Sequence, residues 1–263
     1  MNFQHILFSI CDSGVALLCL NRPAQLNSLN EAMHLELQQA LAEVIANPAI
    51  RALLLTGEGR GFCAGQDLFD GSVIGSGEPL DLGQTIERFY NPLVSALRDL
   101  PKPVVCAVNG VAAGAGANIA LACDLVVAAR SAYFVQAFCK IGLVPDAGGT
   151  FFLPRLIGTA RAKALMLLGD KLPAEQAEQW GLIWRVVDDE LLREEALMLA
   201  RKLAKAPYSL ALTKQALNQS ATNSFNEQVA LERDLQRKAG QSEDFKEGIR
   251  AFMQKREPKF NGR

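Results

Sequence analysis

Short apolar runs alternate with helically spaced apolar positions through the first half of the chain. Residues 3–10 and 15–20 are apolar runs on either side of Asp12-Ser13-Gly14, which predicts a hairpin. Beyond the turn residues Asn21-Arg22-Pro23, Met33, Leu37, Leu41 and Val44 recur at helical spacing over 31–45. Residues 51–56 predict a buried strand that leaves through glycine-rich 57–61. A helix is predicted over 86–100, ended by Pro101 and Pro103. A second buried strand follows at 104–108, a small-residue turn and helix at 110–122, and a third strand at 124–129. This β-α-β alternation predicts an α/β protein with a parallel sheet covered by helices. From Thr159 onward helices dominate, with one short strand over 183–187. The stretch 190–255 gives several amphipathic helices and no sheet partner. A core over 1–206 and a helical region over 207–263 are expected, divided near Pro207. The apolar faces of that region need a cover, and a neighbouring subunit supplies one.

Composition narrows the chemistry. With 27 basic and 28 acidic residues among 263, the chain carries no electrostatic footprint for nucleic acid. No run of about 18 apolar residues predicts a membrane span. The first residues lack a basic leader with a cleavage site, and the six cysteines form no C-x-x-C pair. Both point to a cytoplasmic protein with reduced thiols. Only two histidines are present, His5 and His34, neither at metal-ligand spacing from a second one, so a histidine-based zinc site is not expected. Cys63 and Cys123 have no nearby histidine to activate them as nucleophiles.

Two glycine-containing turns follow predicted strands: residues 61–68, and residues 109–118, which open a helix. A strand running into a helix start leaves backbone N–H groups unpaired, where the helix dipole favours negative charge. Phosphate binding is one use of such a turn. However, Gly114-Ala115-Gly116 is only part of G-x-G-x-x-G, because Ile119 stands at the third glycine. Close helix–strand packing also demands small residues. A third possibility joins the two turns, with one N–H from each converging on a single oxygen. Such oxyanion-hole donors contribute roughly 3–4 kcal/mol each to a charge developing in a transition state.

The sequences FCAGQDL at 62–68, AVNGVAAGAGA at 107–117 and GLVPDAGGT at 142–150 resemble the enoyl-CoA hydratase/isomerase (crotonase) family. So do Leu20-Asn21-Arg22-Pro23, Leu26-Asn27 and Asn30 near the start, and residues 247–252 with Lys255-Arg256 near the end. Residues 87–94, with the Gly-Gln-Asp turn and the Pro-Asp-x-Gly-Gly-Thr segment, are most similar to a branch that isomerises ring-epoxidised phenylacetyl-CoA in phenylacetate degradation. The resemblance implies a crotonase-like β-β-α superhelix with a helical C-terminal trimerisation region. It also implies an acyl-CoA thioester substrate, no metal, nicotinamide or flavin cofactor, and a homotrimer or dimer of trimers.

Matched turn to turn, the thioester oxygen is held by the N–H groups of Gln66 and Ala115. Many relatives have glycine at the second position, and alanine keeps the donor. A hydratase of the family presents two glutamates where this chain has Asn118 and Phe138. Neither titrates usefully, so simple hydration is not expected. Asp146 matches the acid/base of the isomerase branch. Judged on its own, it reads first as an N-cap worth about 1 kcal/mol to the following helix.

Gln25, Ala64, Asp67, Leu68, Gly114, Asn118 and Tyr90 are candidate substrate contacts. Each has a bland alternative: Asp67 closes the first turn, Asn118 satisfies buried backbone, and Tyr90 packs. Asp124 opens a strand. Tyr133, Phe134 and Phe138 shape an aromatic acyl pocket or fill core. Lys255, Arg256 and Lys259 meet CoA phosphates or solvent. Three functions remain open: the ring-epoxide isomerase, a Δ3,Δ2-enoyl-CoA isomerase or hydratase, and a non-catalytic acyl-CoA-binding protein.

Overall fold

One pattern repeats along the chain: a buried strand, a very short strand and a helical segment. β3 (Ala52–Gly57) leads to β4 (Gly61–Cys63). β5 (Val104–Val108) leads to β6 (Val111–Ala113) and α4 (Ala115–Leu121), and β7 (Leu125–Ala129) leads to β8 (Tyr133–Val135) and α5 (Gly149–Leu168). The first strands of each unit join β1 (Ile6–Ile10), β2 (Val15–Leu20) and β10 (Arg185–Val187) in a six-stranded sheet ordered β1-β2-β3-β5-β7-β10. The second strands form a separate sheet, β4-β6-β8-β9, with β9 at Lys171–Pro173. The chain therefore winds as a β-β-α superhelix. The computed structural model describes residues 3–68 and 81–263.

The large sheet is parallel except for the β1–β2 hairpin, where Ile6 faces Leu20. Every residue of β5 is buried, as a strand covered on both faces requires. One cover is α7 (Leu192–Ala204), which lays Ala196 and Ala200 against the sheet. On α1 (Glu31–Ala46), Asn30 caps the first turn by accepting from the Met33 amide, and Met33, Leu37, Leu41 and Val44 are buried.

The small sheet was not foreseen from the sequence pattern. Its strands are three residues each, too short to display a period of two, and β6 lies inside the stretch expected to be turn and helix. The helix predicted over 86–100 is composite: α2 (Leu82–Thr85), one π-helical turn (Ile86–Tyr90), then α3 (Asn91–Asp99).

After α6 (Ala174–Gln179), β10 and α7 come the helices α8 (Ser209–Ser220), α9 (Phe225–Gly240) and α10 (Glu243–Met253). They are tied to the core by Lys214, whose Nζ donates to the Leu97 and Lys102 carbonyls and pairs with Asp124 at 2.8 Å. Asp124 is thus an anchor for α8 as well as the residue before β7. Phe225, Phe252 and Met253 remain 79%, 84% and 77% exposed. Among the described residues no helix is long and apolar enough to cross a membrane.

Candidate active site

The first glycine turn is held against the loop between β2 and α1. The Ala64 amide donates to the Leu26 carbonyl, the Leu29 amide to Gly65, and the Asp67 amide to Leu29. Leu29 thus bonds the residues on either side of Gln66, and the Gln66 N–H points away with no partner among the described residues. The loop itself is braced by Arg22, whose guanidinium pairs with Asp67 at 2.8 Å and donates to the Ser28 carbonyl.

The second turn passes through Gly114, at φ 54° and ψ −125°, a conformation that side-chain-bearing residues avoid. Ala115 follows as the first residue of α4, so its N–H has no intrahelical acceptor. Gly116 lies directly against β4: a Cβ there would sit 2.3 Å from the Cys63 carbonyl oxygen. The two turns touch. A Cβ on Gly65, at φ 88°, would lie 3.0 Å from the Ala113 oxygen and 3.5 Å from the Ala115 nitrogen. Two amides without a partner among the described residues, Gln66 and Ala115, therefore share one neighbourhood.

Asn118 is one turn along α4 from Ala115 and therefore on the same face. It is fully buried. Its Nδ2 donates to the Asp146 main-chain oxygen at 2.8 Å, while its Oδ1 accepts from Gln136 Nε2 at 2.8 Å. This relay fixes Asp146 at the start of two left-handed residues, Ala147 at φ 48° and Gly148 at φ 79°. Helix α5 then begins at Gly149 with no side-chain cap. Asp146 therefore does not play the N-cap role. Its Oδ1 is buried without a hydrogen-bond partner among the described residues, and burial pushes its pKa up to about 6.

Aromatic rings close the rest of the site. Phe138 is buried and comes within 3.6 Å of where a Gly114 Cβ would sit. Tyr90 is buried and its hydroxyl donates to Gln66 Oε1 at 2.6 Å. Cys63 is buried and its thiol pushed up to about 12, a protonated group with no nucleophilic character.

Of the other candidates, Ala64 and Leu68 lie on the first turn, and Gln25 is exposed on the loop beside it. Asp67 is engaged by Arg22, and Arg256 by Glu247. Both carboxamide ends of Asn118 are taken by protein partners. Among the described residues no group of His, Cys, Asp or Glu is placed to hold a metal ion. A cavity of about 470 Å³ lined by Leu121, Phe151, Leu210 and Leu217 lies between α5 and α8, away from this chemistry.

Sequence reasoning missed Gln136, whose partner is 18 residues away, and the Arg22–Asp67 pair, 45 residues apart. The Asn21-Arg22-Pro23 turn was visible, but nothing local says what its arginine holds.

The family model for enoyl-CoA hydratase/isomerase matches residues 11–263. The chain belongs to the enoyl-CoA hydratase/isomerase family. It is 57% identical over 261 residues to the 1,2-epoxyphenylacetyl-CoA isomerase of Escherichia coli, covering 99% of this chain and 100% of that protein. It is 40% identical over 250 residues to the 2,3-dehydroadipyl-CoA hydratase of Escherichia coli, covering 95% and 96%. Among solved structures, the enoyl-CoA hydratase of Bacillus anthracis superposes with a TM-score of 0.93 at 33% identity, covering 99% of this chain and 100% of that one. The superhelix of this family member is thus the hydratase/isomerase fold, as the turn motifs led one to expect.

Proposed function

We propose that this family member is an isomerase that converts ring-1,2-epoxyphenylacetyl-CoA to oxepin-CoA. One observation carries the reading: Asp146 Oδ1 is buried with no hydrogen-bond partner among the described residues, near the Gln66 and Ala115 amides, while the Asp146 main chain is held by Asn118. The thioester oxygen sits between the Gln66 and Ala115 N–H groups. Removal of the α-proton by Asp146 sends the C–H electron pair toward that oxygen, where the two donors stabilise the enolate. This removal follows the opening of the epoxide, by valence isomerisation, to the seven-membered oxepin, which still carries the intact –CH2–CO–SCoA arm. The proton returned by Asp146 at the γ-carbon then moves the double bond into conjugation. No atom is gained or lost, and nothing in this sequence of steps calls for a metal, nicotinamide or flavin.

The Asp146 pKa suits a shuttle. With a value of about 6, the group is mostly carboxylate at neutral pH, yet it holds the abstracted proton more readily than an ordinary aspartate. Asn118 and Phe138 weigh against hydration, since neither deprotonates a water. The 57% identical isomerase supports the ring-epoxide substrate over an open-chain 3-enoyl thioester.

The same proposal includes a cytoplasmic homotrimer or dimer of trimers, with residues 1–206 forming the thioester site and 207–263 serving assembly. The exposed Phe225, Phe252 and Met253 are the surface it needs covered.

Purified protein incubated with 2-enoyl-CoA, 3-enoyl-CoA and enzymatically generated epoxyphenylacetyl-CoA tests this directly. The expected result is an isomer of unchanged mass from the epoxide. Rapid gain of one water by the 2-enoyl substrate would overturn the reading, as would a protein that binds all three and turns over none.

A further inference from the structure

The π-helical turn Ile86–Tyr90 has no part in the proton transfer above. It is closed by the Asn91 amide donating to the Ile86 carbonyl. Such turns are rare and concentrate at functional sites. This one turns the consecutive residues Phe89 and Tyr90 both inward, onto the buried His34. Phe89 stacks on the imidazole at 5.1 Å and 23°, and Tyr90 meets it edge-on at 4.6 Å and 78°. Burial pushes His34 down to about 4, so the imidazole is a neutral wall at physiological pH.

Packed in this way, Tyr90 has its hydroxyl on Gln66 Oε1 at 2.6 Å. The phenol is a reliable donor. Burial first, then the neighbouring Cys63, Asp146 and Asp67, hold its pKa far above the usual value. The other end of the Gln66 carboxamide makes a long contact of 3.5 Å with the Asp67 carbonyl. Leu29 holds the main chain on both sides of the Gln66 N–H, its amide donating to the Gly65 oxygen at 2.8 Å and its carbonyl accepting from the Asp67 amide at 2.9 Å. The residue before that N–H is Gly65, at φ 88°, the most adjustable point of the turn. The Gln66 side chain adds a further tether, through the Tyr90 hydroxyl, on the residue that carries the N–H.

We propose that Tyr90 is a positioning residue for catalysis: by holding the Gln66 carboxamide it aims the Gln66 N–H at the thioester oxygen. The role rests on the reading of Gln66 as an enolate-binding donor. It differs from a substrate contact, because Tyr90 is 2% exposed and its hydroxyl is already engaged. It also differs from packing, because Tyr90→Phe keeps the ring and its contacts with His34.

The test is α-proton exchange of phenylacetyl-CoA in D2O, followed by the mass gain of the thioester, for the wild type, Tyr90→Phe, Gln66→Met and the double variant. Each single variant is expected to lose roughly 10–100-fold in the saturated exchange rate, the scale of a misaimed group. KM and the thermal midpoint should stay near wild type, and the double variant should be no slower than the slower single one. Exchange at the wild-type rate in Tyr90→Phe overturns the positioning role alone, as do losses that multiply in the double variant. A wild-type protein that exchanges no deuterium overturns the enolate reading and this inference with it.

Discussion

Asn118 donates its side-chain amide to the main-chain oxygen of Asp146, at 2.8 Å, and leaves the Asp146 carboxylate untouched. The distinction matters chemically. A carboxylate that accepted this hydrogen bond would be stabilised as the anion and its pKa would fall. Anchored through its carbonyl instead, Asp146 is fixed in place while burial raises its pKa to about 6. Asn118, where the family resemblance implies a glutamate in hydratases, here braces the Asp146 main chain.

The first expectation follows for Asp146→Asn. The substitution keeps the shape of the side chain and removes the proposed proton carrier. Turnover of the epoxide thioester should fall about 10²–10⁴-fold, the usual contribution of a positioned acid/base. Circular dichroism should show an unchanged fold. Turnover within a few-fold of wild type would leave Asp146 with no catalytic role.

A pH series separates this carboxylate from a structural one. The folded-state pKa, about 6, lies above the unfolded value near 3.9. Below both values the group is protonated in either state and does not affect stability. Between them the unfolded chain ionises first, so the wild type is progressively destabilised as pH rises, fully above about 6. Asp146→Asn should therefore raise the thermal midpoint at pH 8 and leave it unchanged at pH 3.5. In the wild type, kcat/KM should fall as pH drops through about 6, because the base becomes protonated.

Removing the Asn118 brace should injure both stability and rate. Asn118→Leu leaves the Gln136 amide and one bond of the Asp146 carbonyl without a partner in the core. The expected loss is about 1–3 kcal/mol in denaturant unfolding. Turnover should fall more than KM rises, because the displaced group is the proposed proton carrier and not a binding surface. An unchanged kcat with the full stability loss would confine Asn118 to packing.

Gly116 links the second turn to the small sheet. A Cβ would lie 2.3 Å from the Cys63 carbonyl oxygen, and backbone does not move aside as a flexible side chain does. Gly116→Ala should cost about 1–3 kcal/mol as an overpacked contact. Because α4 starts one residue earlier, the shift should also displace the Ala115 amide and lower kcat. Measuring both on one preparation ties the geometry to the chemistry.

Assembly has its own measurement. Phe252→Asp together with Met253→Asp places charge on a surface that is 84% and 77% exposed in the single chain, so folding alone tolerates it. Sedimentation should show a trimer or hexamer for the wild type and a smaller species for the variant. A wild type that sediments as a monomer at working concentration would contradict the proposed assembly.

The sequence by itself determined the strands of the large sheet, both glycine turns and the shortage of titrating groups. These are local properties: apolar runs, backbone conformations that only glycine adopts readily, and residue types present or absent at fixed positions. The tertiary structure alone decided the rest. It showed a second sheet of three-residue strands, too short to carry a period. It removed the cap reading of Asp146, since α5 begins three residues later without a side-chain cap. It gave Asp67 to Arg22, Asn118 to Asp146 and Gln136, and the Tyr90 hydroxyl to Gln66. Each of these partners lies 18–45 residues away in sequence. A hydrogen bond acts over about 3 Å, so its existence depends on which turns the superhelix stacks together, and no local pattern records that.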